Sequence, residues 1–305
     1  MQIYLPIAGM PVDVLALIVL GLVTGAISGL FGVGGGFLLT PFLLFMGIPP
    51  AIAVGSQTAQ LIGSSISGVM TYWKKRAVDI HMSLVLFAGS AVGIFFGLIF
   101  FNHLKKIGQI DFAIAASYIF VLGSLSFVML FESIQTLIRE KSAIPLPLTK
   151  APRWVRRLPF QVLFPHSSIR ASLLMPLGIG FIAGLLVVIM GIGGGFVIVP
   201  ALNYLLRMPP HFIPGTSLLQ IVFATFLVTI LQATINHTVD FVLAFYLILG
   251  SALGVQIGAR YGYDLRGPLA RLFLSLLVLS VSLRLVLELT HIPQSLYSLE
   301  RKGEK

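Results

Sequence analysis

Ten apolar segments, separated by short polar breaks, restrict what this chain can fold into. Several approach twenty residues, the length that a helix needs to cross the hydrocarbon core of a membrane. The segments do not alternate between apolar and polar residues, as the strands of a membrane β-barrel would. Only 10% of the 305 residues are charged, whereas soluble domains carry about a quarter. The sequence therefore predicts an all-α polytopic membrane protein.

The sequence also contains one unit twice. The run GLFGVGGGFLLTP begins at Gly29, and VIMGIGGGFVIVP begins at Val187. The offset that aligns the first glycine triplet with the second also aligns Pro41 with Pro200. If one or two inserted residues are allowed in the second copy, the match extends as far as GSAVGIFFG and GSALGVQIG. So many matches in one order indicate an internal repeat, and residues that align between its two copies are called counterparts.

Each repeat contains five predicted helical segments. They lie near 12–31, 36–47, 51–73, 80–101 and 110–138, and near 172–190, 195–206, 211–235, 240–260 and 267–289. The second segment of each repeat spans only about 18 Å of a core that is roughly 30 Å thick. The first two segments therefore form either a re-entrant hairpin or two crossings, which gives about 8–10 transmembrane helices. Each repeat then crosses the membrane three or five times. Because both numbers are odd, the two repeats are expected to be inverted relative to each other.

Basic residues predict how the chain is oriented. The predicted domains are a first membrane repeat over 1–138, a basic, proline-containing connector over 139–170, a second membrane repeat over 171–290 and a polar tail over 291–305. If the connector is cytoplasmic, that side collects 14 of the 20 lysines and arginines. The positive-inside rule then places both termini outside a plasma or inner membrane. The connector is interpreted either as a linker lying along anionic headgroups or as a regulatory segment.

Glycine is unusually frequent within the apolar segments, in two distinct patterns. Glycines four residues apart favour close helix packing, and they occur at Gly21, Gly25 and Gly29 and at Gly89, Gly93 and Gly97. Consecutive glycines instead weaken a helix and allow positive φ, and they occur at Gly34, Gly35 and Gly36 and at Gly193, Gly194 and Gly195. Helix breaks at matching places in two inverted halves are typical of transporter substrate sites, and a tight structural turn is the alternative.

Neutral polar residues follow each glycine triplet. The candidate substrate-binding side chains are Ser56, Gln57 and Gln60 in the first repeat and Thr216, Ser217 and Gln220 in the second. Helix N-termini attract anions, and hydroxyl and amide groups can complete the shell around one. Hydrogen bonding between helices is the alternative role for these side chains.

Asp79 and Asp240 occupy equivalent positions at the start of the fourth segment of each repeat. Carboxylates that face a cavity can carry protons, which makes the pair candidates for proton coupling. An aspartate at a helix start also caps the free N–H groups, and this is the second interpretation.

The glycine-proline motif, its second copy and the five-plus-five arrangement together resemble the sulfite exporter family TauE/SafE. The resemblance covers about residues 12–290. It implies a multi-pass inner-membrane carrier of small sulfur-containing anions such as sulfite, thiosulfate, sulfoacetate or another organosulfonate. It also points to the two glycine triplets and the polar residues that follow them. The second repeat differs from the first, because Ser217 stands where the first repeat has Gln57.

Other functions are less consistent with the residues. The chain has no cysteine, and no phosphate-loop lysine follows the glycines, so no metal site, cofactor or enzymatic activity is predicted. The basic charge lies in loops, which favours a lipid bilayer over nucleic acid as the partner. An ion channel and a carrier of cations or amino acids remain alternatives. The direction of transport, the coupling ion and the formation of a homo-oligomer are left open.

Overall fold

The structure is a computed structural model, and it describes residues 2–32, 34–141, 159–164, 167, 169–261 and 268–290. In these ranges the first half contains β1 (Gln2–Leu5), β2 (Met10–Asp13), α1 (Val14–Phe31), α2 (Gly36–Phe45), α3 (Pro50–Lys74), α4 (Ile80–Ile107) and α5 (Ile110–Lys141). The second half contains β3 (Gln161–Phe164), β4 (Ile169–Ser172), α6 (Leu174–Met190), α7 (Gly195–Tyr204), α8 (Ile213–Leu231), α9 (Phe241–Tyr261) and α10 (Pro268–Thr290). A short π-helix, Gln232–Asn236, continues α8.

The predicted helical segments correspond one to one with α1 to α10, which confirms an all-α polytopic membrane protein. By length and composition, five helices of the described residues are able to cross a membrane: Val14–Phe31, Ile80–Ile107, Ile110–Gln135, Ile213–Asn236 and Phe241–Tyr261. Four more are apolar but shorter. The remaining helix, α3, is long but carries many polar side chains that are buried inside the protein. Burial between other helices allows such a helix to be less apolar than one that faces lipid.

Most of the connector and the whole polar tail lie outside the described residues. The helix α5 continues to Lys141, slightly beyond the predicted end of the first repeat. The division into domains therefore stays a prediction.

The glycines of α1 face successive backbone carbonyls of α9 at very short range. A Cβ added at each would lie 2.2–2.5 Å from a carbonyl oxygen, in the pairs Gly21–Leu247, Gly25–Ser251 and Gly29–Val255. The pairs follow the same order along both helices, so α1 and α9 run parallel. This confirms that glycines at this spacing serve close helix packing.

The corresponding helices, α4 and α6, pack in the same way. A Cβ added to either helix would lie 2.1–2.2 Å from a carbonyl oxygen of the other, in the pairs Gly89–Leu177, Gly93–Phe181, Gly180–Leu86 and Gly184–Ser90. The first helix of each repeat is thus packed against the fourth helix of the other repeat. The two halves hold each other together rather than folding as separate bundles.

The third helices, α3 and α8, are counterparts in the repeat and pack against each other. Thr229 donates a hydrogen bond to Thr58 at 3.0 Å. Farther along α3, a Cβ on Gly68 would lie 2.8 Å from a methyl group of Leu218. Residue numbers rise along α3 as they fall along α8, so the two helices are antiparallel. This direction supports an inverted arrangement of the repeats, which remains a prediction as regards the membrane.

One β-hairpin precedes the first helix of each repeat, and neither hairpin was predicted from the sequence. The strands β1 and β2 pair antiparallel, and so do β3 and β4. The two hairpins are counterparts, because the offset that aligns the glycine triplets also aligns Gln2 with Gln161 and Met10 with Ile169. Part of the second hairpin lies in the range that was interpreted as connector. Strands this short give too weak a periodic signal to be recognised.

Candidate functional site

Both glycine triplets interrupt a helix, as the sequence analysis predicted. The helix α1 ends at Gly32 in the left-handed conformation, and α2 begins after Gly35, which has φ of +65°. In the second repeat, α6 ends at Gly191 and α7 begins after Gly194, which has φ of +77°. Positive φ is accessible to glycine and costly for residues with a Cβ. The chain therefore reverses direction twice by the same backbone path.

The two breaks lie against each other in the interior. The rings of Phe37 and Phe196, which are counterparts in the repeat, stack with their centroids 4.7 Å apart. A Cβ on Gly36 would lie 3.1 Å from the carbonyl oxygen of Gly191 and 3.2 Å from the Cα of Ile192. The start of α2 thus contacts the end of α6 directly, and the two triplets belong to one region.

Gln57 connects the two breaks through its side-chain amide. Its Nε2 donates to the carbonyl oxygen of Gly36 at 2.8 Å and to that of Gly191 at 2.7 Å. Its Oε1 accepts a hydrogen bond from the hydroxyl of Thr40. The side chain is fully buried, so one residue of α3 holds the first break against the second.

Ser217 makes the reciprocal contact from α8. Its hydroxyl donates to the carbonyl oxygen of Gly32 at 2.7 Å and approaches that of Pro214 at 3.0 Å. Gly32 and Gly191 are counterparts, so each repeat reaches across to the residue that ends the first helix of the other. Serine in place of glutamine preserves the contact to the other repeat, but among the described residues no bond of Ser217 corresponds to the one that Gln57 makes to Gly36, at the start of α2 in its own repeat.

Leu61 and Ile221 line the space between the triplets. A Cβ on Gly34 would lie 3.0 Å from Ile221, and one on Gly193 would lie 2.9 Å from Ile221 and 3.2 Å from Leu61. These two apolar residues are counterparts, and the sequence analysis missed them. The signal was present, because each directly follows a glutamine that was selected, Gln60 or Gln220.

Gln60 and Gln220 are buried, and the Oε1 of each has no hydrogen-bond partner among the described residues. The Nε2 of Gln220 donates to the hydroxyl of Ser90 on α4 at 2.7 Å. That hydroxyl approaches the carbonyl oxygen of Gly180 on α6 at 3.0 Å. Unpaired polar atoms in a protein interior are uncommon, which makes these amides candidates for contact with a ligand.

Ser56 and Thr216 contact the starts of helices in the opposite repeat. The hydroxyl of Ser56 accepts from the backbone N–H of Asp240 at 2.8 Å. The hydroxyl of Thr216 accepts from the backbone N–H of Asp79 at 3.0 Å. These bonds are of the interhelical kind that was the alternative for the polar cluster. A role in substrate binding stays a prediction for both residues.

Asp79 and Asp240 cap helices, as the second interpretation proposed. Oδ1 of Asp79 accepts from the N–H of Met82 at 3.1 Å, and Oδ1 of Asp240 accepts from the N–H of Leu243 at 3.2 Å. Both carboxylates are buried, where hydrogen bonds compensate for the loss of water. Proton coupling through them stays a prediction.

The second oxygen of each aspartate binds the tip of a β-hairpin from the other repeat. Oδ2 of Asp240 accepts from the N–H groups of Ile7 and Ala8 at 2.9 and 3.4 Å. Oδ2 of Asp79 accepts from the N–H of Ser167 at 3.2 Å and from its hydroxyl at 2.7 Å. Ala8 and Ser167 are counterparts in the repeat. We call each aspartate with its hairpin tip a latch; there are two in the described residues.

The described contacts of the two breaks are all made by electrically neutral residues. Lysines that make described contacts lie near helix ends, where Lys75 donates to the carbonyl oxygen of Ala259 at 3.1 Å and Lys105 to that of Asn236 at 2.9 Å. Attraction of an anion to the breaks would therefore come from helix dipoles and from N–H and O–H donors rather than from a fixed cation.

Comparison with known proteins agrees with this architecture. The chain matches the family described as sulfite exporter TauE/SafE over residues 17–285. It belongs to this family. No solved structure matches the chain.

Several relatives in this family are named as transporters. The chain is 26% identical to the probable membrane transporter protein YunE of Bacillus subtilis over 284 residues, which covers 89% of this chain and 97% of that protein. It is 29% identical to the probable membrane transporter protein YjnA of the same organism over 252 residues, covering 80% and 89%. A partial match, 28% identical over 108 residues, links it to sulfite exporter TauE/SafE family protein 3 of Arabidopsis thaliana; it covers 35% of this chain and 22% of that protein. The chain is thus a multi-pass membrane protein of a transporter family.

Proposed function

We propose that this protein is a secondary carrier of a small sulfur-containing anion, such as sulfite, thiosulfate, sulfoacetate or another organosulfonate. The observation that carries the proposal is the meeting of two broken helices inside the protein, with Phe37 stacked on Phe196. The N-termini of α2 and α7 are the positive ends of their helix dipoles, and such ends attract anions. The family description, sulfite exporter TauE/SafE, supports the sulfur-containing class.

The proposed site contains both glycine triplets, with Gln57 and Ser217 between the halves. Gln60 and Gln220 are included because their side-chain oxygens are buried and unpaired among the described residues. A site without a fixed cation releases its anion readily, which suits transport over storage. Alternating access would come from motion of one repeat, or part of it, against the other. The pairs α1–α9 and α4–α6, each made of one helix from each repeat, would move as units. Their backbones are in close contact along the glycine faces.

The orientation forms part of the same proposal. Both termini would face outside the cell membrane, and the 139–170 connector would be cytoplasmic, as the distribution of lysine and arginine indicates. The antiparallel pair α3–α8 supports opposite directions for the two repeats.

The test is counterflow uptake of labelled sulfite, thiosulfate and sulfoacetate into proteoliposomes. Wild-type protein is expected to give saturable exchange of at least one of these anions. Gly35→Ala and Gly194→Ala are expected to reduce it at least tenfold, because the added methyl groups would lie 2.7 Å from the carbonyl oxygen of Thr24 and 2.8 Å from the Cβ of Ala183.

Gly108→Ala is the matched control. Gly108 also has positive φ, at +76°, but a Cβ there meets nothing within 4 Å. This variant has the same backbone strain, of about 1 kcal/mol, without obstructing the breaks. Unitary currents in place of saturable exchange would show a channel. Failure of all three anions to exchange would refute the proposed substrate class.

A further inference from the structure

Ser28, in the last turn of α1, has a buried hydroxyl without a hydrogen-bond partner among the described residues. Only 1% of the residue is exposed. A serine within a helix commonly donates to a carbonyl one turn earlier, as Thr24 does to Leu20 at 2.8 Å. An unpaired buried hydroxyl costs free energy that a folded protein usually avoids. The oxygen of Ser28 is therefore available for a partner that is not part of the chain.

The side chain of Ser28 lies against the first break. Its Cβ lies 3.0 Å from the position that a Cβ on Gly35 would occupy. Gly35 directly precedes α2, a helix of ten residues. Ser28 thus lies against the N-terminus of α2, where the helix dipole attracts an anion, and its unpaired hydroxyl is a donor suited to an anionic oxygen.

The second break differs at this position. The counterpart of Ser28 is Val187, and that of Thr24 is Ala183. Both counterparts are buried and apolar, so the start of α7 has no hydroxyl from α6 at these positions. The two breaks share a backbone path, but only the first has these hydroxyl groups.

From these observations we infer that Ser28 is a substrate-binding residue, whose hydroxyl donates to an oxygen of a sulfur oxyanion at the N-terminus of α2. The inference rests on the proposed function and makes it more specific. The anion binds at the first break and not at the second. The second break supplies backbone geometry and closure without a corresponding hydroxyl.

The experiment compares Ser28→Ala with wild-type protein in counterflow uptake of sulfite and thiosulfate. Loss of a hydrogen bond to a charged group is expected to raise KM about tenfold or more, with little change in the maximal rate. Stabilisation of the purified protein by added sulfite, measured as a shift in melting temperature, should fall in parallel. The melting temperature without anion should not fall, because the hydroxyl has no partner in the protein to lose.

Ser133→Ala is the matched control. Ser133 is also buried with an unpaired hydroxyl, but it lies on α5, far along that helix from Tyr118, which contacts α6 beside the break. This variant should keep the wild-type KM.

Three outcomes overturn the inference. An unchanged KM in Ser28→Ala would show that the hydroxyl does not contact the substrate. Failure of Ser28→Ala to fold, or a lower melting temperature without anion, would assign Ser28 a structural role. Wild-type protein that exchanges neither anion would refute the proposed function itself, and the inference with it.

Discussion

The two glycine breaks have nearly the same backbone but different side chains around it. In each, a helix ends at a left-handed glycine and the next begins after a glycine of positive φ. Around the first break lie Thr24 and Ser28; the second has Ala183 and Val187 in their places. Both halves therefore make the same chain reversal, whereas only the first break has hydroxyl groups at these two positions. A substrate that binds near one break, in a protein whose halves otherwise match, would produce this difference.

The largest predicted effect concerns the glycine packing of α1 on α9 and of α6 on α4, in which the two halves match. Gly25→Ala and Gly184→Ala should each lower the free energy of unfolding by about 3 kcal/mol or more. Their added methyl groups would lie 2.4 and 2.2 Å from the carbonyl oxygens of Ser251 and Ser90, and these two serines are themselves counterparts. The measurements are the yield of monodisperse protein by size-exclusion chromatography and the melting temperature of that protein.

Gly178→Ala is the control for these variants. It lies in the same helix as Gly184, and a Cβ there meets nothing within 4 Å. Alanine is the better helix former, so this variant should be at least as stable as wild type. Tolerance of alanine at one of the two packed positions alone would show that the halves do not pack equivalently.

A smaller effect should separate the two reciprocal contacts. Gln57→Ala removes three hydrogen bonds, to the carbonyl oxygens of Gly36 and Gly191 and to the hydroxyl of Thr40, and should cost about 3 kcal/mol of unfolding free energy. Ser217→Ala removes one hydroxyl and should cost about 1 kcal/mol. Denaturant unfolding in mixed micelles measures both.

Gln256→Ala removes the same atoms as Gln57→Ala from an exposed position, where the amide donates to Ser67 at 3.0 Å. It should change the unfolding free energy by less than about 1 kcal/mol. Equal losses in the variants of Gln57 and Ser217 would contradict the view that glutamine alone links both breaks.

The smallest predicted effect concerns the latches. Ser167→Ala removes the side-chain bond to Asp79 and makes the second hairpin tip resemble the first, which has Ala8 at that position. Amide hydrogen exchange in β3 and β4 should accelerate about fivefold, which corresponds to a loss of about 1 kcal/mol. Exchange in β1 and β2 should not change.

Ala8→Ser is the reciprocal variant. It should slow amide exchange in β1 and β2, because the new hydroxyl can donate to Asp240 as Ser167 donates to Asp79. If Ser167→Ala accelerated exchange in both hairpins equally, the two latches would be coupled rather than independent.

Much of the architecture was predictable from the sequence. The lengths of the apolar runs predicted the ten helices, and the glycine triplets predicted the two breaks with residue accuracy at Gly36 and Gly195. These features depend on local composition, since a helix needs a continuous run of suitable residues and consecutive glycines end it.

The candidate site was predictable only in part. The sequence selected Gln57 and Ser217 as residues near the breaks, and the structure has both there. From the sequence, Gln57 and its counterpart Ser217 were expected to make the two halves of the site chemically unlike. In the structure, both side chains reach the glycine that ends the first helix of the other repeat. The sequence also selected Ser56 and Thr216, whose hydroxyls contact the starts of α9 and α4. Neighbouring residues on a helix face different directions, and the sequence does not specify which direction meets the break.

The sequence by itself determined the membrane-protein class, the ten helices, the repeat and the position of each chain reversal. Only the tertiary structure decided which half supplies each contact: α1 packs on α9, Gln57 reaches Gly191, and Asp79 binds Ser167. The physical reason is that helix formation and helix breaking depend on neighbouring residues. Pairing across the repeats instead depends on which faces fit together, between residues that lie far apart in the chain. The unpaired hydroxyl of Ser28 was likewise decided by the tertiary structure, because its lack of a partner is a property of the assembled interior.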